Sequence, residues 1–456
     1  MMRWMRSLAI LLALAAMGGW GTAAAGAASL PKVKHVWIIV LENKDYEVTF
    51  GENPPAPYLA KTLTAQGQLL THYYATGHLS LDNYITMVSG QPPNPQTQAD
   101  CQFFTDFVGT VREDGVAVGQ GCVYPPEVKT IADQLEAKGL TWKGYMEDMG
   151  TPCRHPDVGA RDETQSATKE DQYAARHNPF VYFHSIIDRP ICKTNVLDLS
   201  ALQTDLAQAS TTPSYSFITP DLCSDAHDEP CVDGRPGGLK SADEFLKTWV
   251  PRITGSPAYA DGGLLIVTFD EAEDDASDCC SEPMGPNTPN NGGPTQGNGG
   301  GRIGAVLLSP YIKPGSVNDT PYNHYSLLRS TEDMFGLPHL AFAAQEGLKP
   351  FEEDVFNKAP GGGKPKPYPK PRITIKGVPR GCVRKAFKAK VKVKSKHLRN
   401  VHVMVDRHVF VRRNAHKLTV RVKIKGLRRG NHLLSVRARD AARRSGRATK
   451  RFRICR

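Results

Sequence analysis

The sequence predicts an α/β domain built on a largely parallel, doubly wound sheet, followed by a small all-β domain. Apolar runs of strand length alternate with helix-like stretches, and several of these runs are apolar almost throughout: HVWIIVLEN, PSYSFITPD, GLLIVTFDE and IGAVLLSPY. Such continuous apolar strands are typical of sheets buried on both faces, and those sheets are largely parallel and wrapped by helices. The all-β prediction depends on a different pattern near the C-terminus.

In that C-terminal part, apolar and cationic residues alternate strictly in the runs AKVKVKS, VHVMVD, LTVRVKIKG and HLLSVRARD. Period-two alternation with turn signals such as LRRGN predicts short antiparallel strands and a small β-sandwich. Cys382 and Cys455 lie at its two ends. We predict that they pair, which would stabilise this domain by about 4 kcal/mol in the loop-entropy model.

The net charge changes sign along the chain at the stretch PGGGKPKPYPKP. Residues 360–456 hold 32 Lys and Arg against two Asp, a net charge of +30, whereas 25 basic and 44 acidic residues upstream give −19. We therefore predict two domains, 29–359 and 373–456, joined by a linker over 360–372. The cationic sheet could bind an anionic polymer, lipid head groups or nucleic acid, or could be a solvated face. No aromatic-studded RNA-binding signature is present, which disfavours nucleic acid, and the oligomeric state stays open.

The N-terminus has the composition of an export signal. Arg3 and Arg6 precede an apolar run, and small residues suited to cleavage follow it, so residues 1–28 are predicted to be a signal peptide. An uncleaved membrane anchor is the alternative. Ten cysteines in an exported or cell-surface protein indicate disulfides. Cys279 and Cys280 are adjacent and could bridge each other or two other partners.

Polar residues follow the predicted parallel strands at the point where each strand ends. Glu42 and Asn43 end the first strand, and Asp270 and Glu271 end GLLIVTFDE. Ligands bind beyond the carboxyl ends of such strands. Four oxygen-bearing side chains clustered there would need a cation, and hard oxygen ligands suit Mg²⁺, Ca²⁺ or Mn²⁺ better than Zn²⁺.

The segment GHLSLDNYITMVSG places Ser80 at the start of a short predicted helix. Ser80 is either the N-cap of this helix or a nucleophile. A metal at the strand ends would also bind the Ser80 hydroxyl and favour its alkoxide, while the helix N-terminus would attract an anion. This combination predicts phosphoryl transfer. Asn83 would donate to a phosphoryl oxygen, and His227 and His324 would bind it or protonate the leaving group.

These segments together resemble a family of bacterial phosphoesterases, which includes acid phosphatases and non-specific phospholipases C within the alkaline phosphatase superfamily. The similarity runs from about His35 to Leu337 and includes RHNPFVYF, FITPDLCSDAHD and NHYSLLRSTEDMFGL. It implies an alkaline-phosphatase-like fold, with Ser80 as the nucleophile that carries the phosphoryl group. Asp82 departs from it, because relatives often have proline there.

The resemblance also implies roles for the remaining site residues. Asn83 matches the phosphate-binding asparagine, and His227 with Asp225, and His324, match positions that hold a second metal in two-zinc relatives. His177 approaches the substrate or makes a structural hydrogen bond. The metal ligands match five residues: Glu42, Asn43, Ser80, Asp270 and Glu271. In two-zinc relatives, an Asp–His pair belongs to the first metal site. Asp270 and Glu271 replace that pair here, which favours one hard metal over zinc.

The function predicted from the sequence is that of a secreted, metal-dependent phosphoester hydrolase acting through a phosphoserine. Phosphomonoesters, including phosphorylated lipid head groups, are the predicted substrates. A phosphodiesterase of phospholipase C type is the first alternative. The second is a non-catalytic cell-surface protein whose basic domain binds an anionic polymer.

Overall fold

We describe the structure from a computed structural model that covers residues 30–295, 297–358, 371–395, 398–406, 408–413, 415–440 and 445–455. The predicted signal peptide, residues 1–28, and all but the last two residues of the predicted linker lie outside the described residues. Within those ranges, no helix combines the length and the apolar character needed to cross a membrane.

The first and larger part of the chain is organised around one eight-stranded sheet with the order β11-β2-β10-β9-β1-β8-β6-β7. Of its neighbouring pairs, only those made by β10 are antiparallel. This confirms the prediction of a largely parallel sheet. The strands of this part are β1 His35–Leu41, β2 Gln68–Leu70, β3 Tyr73–Tyr74, β4 Val108–Val111, β5 Ala117–Gln120, β6 Trp142–Met146, β7 Val196–Asp198, β8 Tyr215–Thr219, β9 Gly263–Phe269, β10 Ala305–Leu308, β11 Ser316–Asn318 and β12 Tyr322–Asn323.

Every residue of the three central strands β1, β8 and β9 is buried, because helices and loops cover both faces of the sheet. The α-helices are α1 Tyr46–Phe50, α2 Ser80–Ser89, α3 Ile131–Ala137, α4 His184–Ile187, α5 Ile191–Asn195, α6 Leu202–Asp205, α7 Gly238–Thr254, α8 Pro257–Ala260 and α9 His324–Phe335. Shorter 3₁₀ or π segments lie at Tyr58–Leu63, Thr97–Ala99, Ala175–His177, Pro179–Tyr182, Leu199–Ala201, Gly293–Thr295 and Ala341–Ala344.

The strand order positions the site. β1 lies between β9 and β8 and is parallel to both, with Ile38 opposite Ile266 on one side and Phe217 on the other. The carboxyl ends of the three strands therefore meet at one edge. The next strand in the chain, β2, lies beyond β9 and β10, whereas β6 and β7 lie on the opposite side of β1. A change of direction of this kind opens the crevice in which α/β proteins bind ligands.

The C-terminal part is all-β, as predicted. A three-stranded antiparallel sheet, β13-β15-β18, and a five-stranded sheet, β14-β20-β19-β16-β17, enclose a hydrophobic cluster of their own. Alternate residues of β15 are buried and exposed, which is the arrangement that period-two alternation predicts. The strands are β13 Arg372–Lys376, β14 Cys382–Val383, β15 Phe387–Lys394, β16 Leu398–Val405, β17 His408–Arg413, β18 Lys417–Val422, β19 Gly430–Asp440 and β20 Ser445–Ile454. The two-domain division stays a prediction.

All ten cysteines are paired. Cys382 bonds to Cys455, as predicted, and closes the all-β part. Cys279 bonds to its neighbour Cys280, which is one of the alternatives that the sequence left open. The remaining pairs are Cys101–Cys122, Cys153–Cys192 and Cys223–Cys231. Five disulfides are typical of proteins that fold in an oxidising compartment.

Glu332 on α9 is a buried carboxyl group that leads to a stability prediction. It is fully buried, its Oε1 accepts the Leu340 N–H at 2.9 Å, and its Oε2 has no hydrogen-bond partner. Burial raises the pKa of Glu332 to about 9. Because the folded-state pKa lies above the unfolded value, this group weakens the fold progressively as pH rises from about 4.5 to 9.

We expect Glu332→Gln to raise the free energy of unfolding at pH 8 by roughly 1–3 kcal/mol, since the amide has no charge to bury. Denaturant unfolding at pH 5 and pH 8 measures this, and the gain should shrink at pH 5. Asp333→Asn is the matched control, because Asp333 is the next residue of α9 and is partly exposed. An equal gain from both variants at both pH values would contradict the assignment.

Candidate active site

Four elements converge at the carboxyl edge of the sheet: the ends of β1, β8 and β9, and the start of α2. β1 supplies Glu42 and Asn43, β9 supplies Asp270 and Glu271, and the loop after β8 supplies Asp225. Helix α2 begins at Ser80. Six predicted site residues from four separate parts of the sequence are thus brought together, while His177 reaches the same place from a 3₁₀ segment.

Ser80 points at a carboxylate rather than capping its own helix. The N-cap of α2 is Leu79, with no side-chain capping bond, and the Ser80 Oγ donates to Glu42 Oε2 at 2.8 Å. The other Glu42 oxygen, Oε1, accepts the hydroxyl of Tyr84. Both side chains are buried, with Ser80 4% and Glu42 0% exposed. The N-cap alternative is therefore wrong, and the hydroxyl is directed into the site.

The helix that carries Ser80 ends at Gly90, which has a φ of +68° and donates its N–H to the Thr86 carbonyl. This left-handed conformation favours glycine, and a Cβ at Gly90 would approach the Leu340 carbonyl oxygen to 2.4 Å. All ten residues of α2 are buried. The candidate nucleophile therefore lies on a helix that is buried on all sides and has a defined C-terminal end at Gly90.

Asn43, Asp270 and Glu271 form a second cluster beside Glu42, in which the two carboxylates are buried and Asn43 is partly buried. Asp270 Oδ1 accepts the backbone N–H of Asn43 at 3.1 Å and that of Glu271 at 2.6 Å, and Asn43 Nδ2 donates to Glu271 Oε1 at 3.0 Å. Asn43 has a φ of +46°, a left-handed conformation that asparagine tolerates. This turn lets Glu42 and Asn43, although adjacent, both take part in the site.

Oxygen atoms without donors remain in this cluster. Asn43 Oδ1 and Asp270 Oδ2 have no hydrogen-bond partner among the described residues. Together with Glu42 and the Ser80 Oγ they form a set of hard oxygen donors, which fits Mg²⁺, Ca²⁺ or Mn²⁺. Glu42 also belongs to a second group that could hold a cation, with His177 and Asp225, and the ligand atoms of these three residues all lie within 4.8 Å of one another. The metal and its predicted ligands stay a prediction.

Burial and mutual repulsion raise the pKa values of these carboxyl groups. Burial raises the pKa of Glu42 well above its usual range, and the charges of Asp270 and Asp225 raise it further. Burial and then Asp270 raise the pKa of Glu271 in the same way, and burial raises that of Asp270. Several buried like charges are unfavourable unless a cation neutralises them.

His177 lies between two of the buried carboxylates. Its Nε2 is 3.3 Å from Glu42 Oε2, its Nδ1 is 3.6 Å from Asp225 Oδ2, and its ring stacks on Tyr84 with centroids 5.3 Å apart. Burial lowers the pKa of His177 well below its usual range, with the neighbouring charges of Arg176 and His227 adding to this. The ring is therefore neutral at physiological pH.

The loop after β8 holds Asp225 and His227 in a strained turn. Ala226 has a φ of +95°, which is sparsely populated for a residue with a Cβ, and Asp225 Oδ1 accepts the His227 N–H at 2.8 Å. The two side chains diverge as a result. Asp225 is buried against His177, whereas the His227 ring is 41% exposed and contacts Asp228 Oδ1 at 2.8 Å.

Asn83 and His324 have intramolecular partners at every nitrogen. Asn83 Nδ2 donates to the Gly77 and Leu79 carbonyls, and its Oδ1 accepts the N–H groups of Thr76 and Gly77. It holds the loop before Ser80 and has no free donor for a phosphoryl oxygen, so the phosphate-binding role of Asn83 stays a prediction.

His324 Nε2 lies 2.6 Å from the Asp270 carbonyl oxygen and its Nδ1 lies 3.1 Å from the Tyr73 hydroxyl. Burial lowers the pKa of His324 to about 4. Both ring nitrogens are engaged, which orients the end of β9. Its predicted proton-donor role is untested.

Several residues of the site were not predicted from the sequence. Tyr84 is the partner of Glu42, and the buried Arg176 guanidinium lies 3.9 Å from Asp100 Oδ2. Burial lowers the pKa of Arg176, but the charges of Asp100, Glu42 and Asp225 raise it by more. The net effect is a raised pKa, so the guanidinium stays charged. The sequence positions of both residues could have indicated that they belong to the site. Tyr84 follows Ser80 by one helical turn, and Arg176 is adjacent to His177. His78 also lies at this cluster, with its Nδ1 at 3.4 Å from Glu271 Oε2.

A family comparison decides where this chain belongs. The model of the Phosphoesterase family matches residues 55–338, more than half of the chain. The chain belongs to the Phosphoesterase family. This confirms the resemblance seen in the sequence, although the curated relatives that match are fungal rather than bacterial.

Those relatives include the phosphate-repressible acid phosphatase of Penicillium chrysogenum, 27% identical over 67% of this chain and 59% of that protein. An acid phosphatase of Aspergillus fumigatus is also 27% identical, over 67% of this chain and 55% of that protein. The chain thus spans less than two thirds of the length of either relative. Among solved structures, a protein in the alkaline phosphatase superfamily from Vibrio parahaemolyticus matches 94% of this chain and 84% of its own, with 13% identity and a TM-score of 0.41. A similarity of that size adds nothing to the family assignment.

Proposed function

We propose that this protein is a secreted, metal-dependent phosphoester hydrolase that acts on monoesters through a phosphoserine at Ser80. The contact between Ser80 Oγ and Glu42 Oε2 at 2.8 Å carries the proposal. It directs a buried hydroxyl to a carboxylate within a cluster of oxygen donors, at the edge of the sheet where ligands bind. The family and the acid phosphatases among its relatives support the same reaction class.

Glu42, Asn43, Ser80, Asp270 and Glu271 are the residues that would hold the metal. A divalent cation bound there would lower the pKa of the Ser80 hydroxyl and offset the charge of the phosphoryl group. Zinc is disfavoured because the set has oxygen donors only. The remaining chemistry depends on side chains of this chain.

In the first step, the Ser80 Oγ attacks phosphorus while its proton moves toward Glu42 Oε2, the acceptor in the structure. The bond between phosphorus and the leaving oxygen breaks, and the leaving alcohol takes up a proton. We propose that the partly exposed His227 supplies this proton, because a ring in contact with solvent can be reprotonated. Arg176 offers the nearby positive charge that a phosphoryl dianion requires.

In the second step, water attacks the phosphorus of phosphoserine, the bond between Ser80 Oγ and phosphorus breaks, Glu42 returns the proton to Ser80 Oγ, and inorganic phosphate leaves. We propose that the neutral His177, which lies between Glu42 and Asp225, accepts the proton of this water. Asn83 and His324 act as positioning residues, since Asn83 fixes the loop before Ser80 and His324 fixes the Asp270 carbonyl. Phosphorylated lipid head groups remain the predicted natural substrates.

The preference for monoesters can be tested directly. We expect the purified protein with added Mg²⁺ or Mn²⁺ to hydrolyse 4-nitrophenyl phosphate at least about tenfold faster, by kcat/KM, than the bis ester. The reason is that Ser80 is buried and its acceptor Glu42 interacts electrostatically with the charged Arg176, and a cation in a buried site suits a terminal dianionic phosphoryl group. A preference for the bis ester would instead support a phosphodiesterase of phospholipase C type.

Export is the remaining part of the proposal. The five disulfides support an oxidising compartment. The predicted signal peptide lies outside the described residues.

A further inference from the structure

The central strand of the three-stranded sheet, β15, presents a row of four lysines to solvent. Its exposed residues alternate with buried ones, so all four lysines lie on the outer face: Lys388, Lys390, Lys392 and Lys394. We call these four residues the lysine row. Since a strand rises about 3.3–3.4 Å per residue, successive charges of the row lie about 6.7 Å apart.

The strands on either side add to this charge instead of balancing it. Each lysine of the row has another cation directly opposite on a neighbouring strand, in the pairs Lys388–Arg421, Lys390–Lys376, Lys392–Lys417 and Lys394–Arg372. Like charges placed directly opposite each other destabilise a sheet. A face that concentrates them is therefore unfavourable for folding alone, and a bound external anion would offset this repulsion.

Among the described side chains of this part of the chain, no acidic one forms an ion pair with the lysine row. Between residues 371 and 455, within the described ranges, the only ion pair joins His432 to Asp406. Residues 360–456 contain just one further acidic residue, Asp440. Lysine residues on ordinary domain surfaces are interspersed with carboxylates, so this face differs from a generic solvated surface.

The geometry favours a linear polyanion with one charge about every 7 Å. A polymer in which six single bonds separate successive phosphates extends about 7 Å per repeat, since three backbone bonds of an extended peptide span up to about 3.6 Å. A 1,3-linked poly(glycerol phosphate) has this six-bond repeat, and so does the backbone of a nucleic acid. A polymer with a much shorter repeat would place most of its charges between the lysines.

Two other anionic partners fit less well. A single-stranded nucleic acid is bound by stacking its bases on aromatic side chains. Among the side chains of residues 371–455 that the structure describes, no large hydrophobic one is exposed. The same observation argues against binding to a lipid bilayer, because such binding uses exposed apolar side chains that enter the membrane. What remains is recognition of the charged backbone alone.

We propose that the lysine row of β15 is a binding site for a linear, base-free phosphodiester polymer of the polyol-phosphate class. The polymer lies along the strand, with one phosphate at each lysine. This inference is independent of the proposed hydrolase function, because none of its residues belongs to the candidate active site.

The test measures binding of the full-length chain to purified poly(glycerol phosphate) as a function of salt. Every protein carries Ser80→Ala, so hydrolysis of the polymer cannot affect the result. One variant also carries Lys390→Gln, Lys392→Gln and Lys394→Gln. The matched control removes three exposed arginines from β20 in the other sheet: Arg447→Gln, Arg451→Gln and Arg453→Gln. Circular dichroism checks that both variants fold.

We expect the lysine variant to bind at least about tenfold more weakly at 0.1 M salt and its log–log salt slope to fall by about 2, while the control changes little. Three results would overturn the proposal: equal losses in both variants, absence of salt-dependent binding by the parent, or tighter binding of the parent to a dT oligonucleotide or to anionic phosphatidylglycerol vesicles. The first would indicate only diffuse charge attraction, and the third a different partner.

Discussion

Replacing Ser80 by alanine is expected to abolish hydrolysis of phosphomonoesters, lowering kcat by at least about 10³-fold. The change removes the attacking oxygen and its hydrogen bond to Glu42, which no other hydroxyl in the described site replaces with the same geometry. Steady-state turnover of 4-nitrophenyl phosphate with added Mn²⁺ measures the effect. Because Ser80 is not the N-cap of α2, the fold should survive the substitution.

The matched control is Ser89→Ala, since Ser89 is a buried serine of the same helix whose hydroxyl donates to the Ile85 carbonyl at 2.7 Å. This variant should lose stability of about 1 kcal/mol and retain its activity. If Ser80→Ala retained activity in a preparation free of other phosphatases, Ser80 could not be the nucleophile. If both variants lost activity equally, the loss would reflect damage to α2.

Removing divalent cations is expected to inactivate the protein, and Mg²⁺, Mn²⁺ or Ca²⁺ should restore activity. The buried carboxyl groups of Glu42, Asp270 and Glu271 have raised pKa values without a cation. A bound cation would therefore also raise the melting temperature, and the gain should be larger at pH 8 than at pH 5, where these groups are more protonated.

Asp270→Asn should weaken metal binding at least about tenfold by calorimetry, whereas Asp261→Asn, an exposed carboxylate that pairs with Lys34, should not. Activity that survives exhaustive chelation would contradict the metal site. Stoichiometric zinc in the purified protein, found by elemental analysis, would contradict the assignment to a hard cation.

Much of the fold could be predicted from the sequence, because continuous apolar runs and period-two alternation each correspond to one kind of strand. The antiparallel direction of β10 could not be predicted, since IGAVLLSPY is as apolar as the parallel strands beside it. Pairing of Cys279 with Cys280 was also undetermined, because sequence spacing does not fix which sulfurs meet.

Site residues that directly follow strand ends could be predicted from the sequence, whereas several site residues on other elements could not. Glu42 and Asp270 were found because strand ends meet at one edge. The partner of Glu42 was missed, because a tyrosine within an apolar helix is usually a core residue, and only the structure shows that Tyr84 donates to the carboxylate. Asp82 is 1% exposed and neither of its oxygens has a hydrogen-bond partner; nothing in the structure explains a carboxylate at this position.

The most direct test of the proposed mechanism is to trap the phosphorylated protein. Wild-type protein is mixed with ³²P-labelled phosphomonoester in the presence of Mn²⁺, quenched in acid within milliseconds, digested and mapped by mass spectrometry. The mechanism predicts labelled phosphate on the peptide that contains Ser80 and none in Ser80→Ala. Label on another residue, such as His177, or burst-free turnover with no labelled peptide at any quench time, would contradict it.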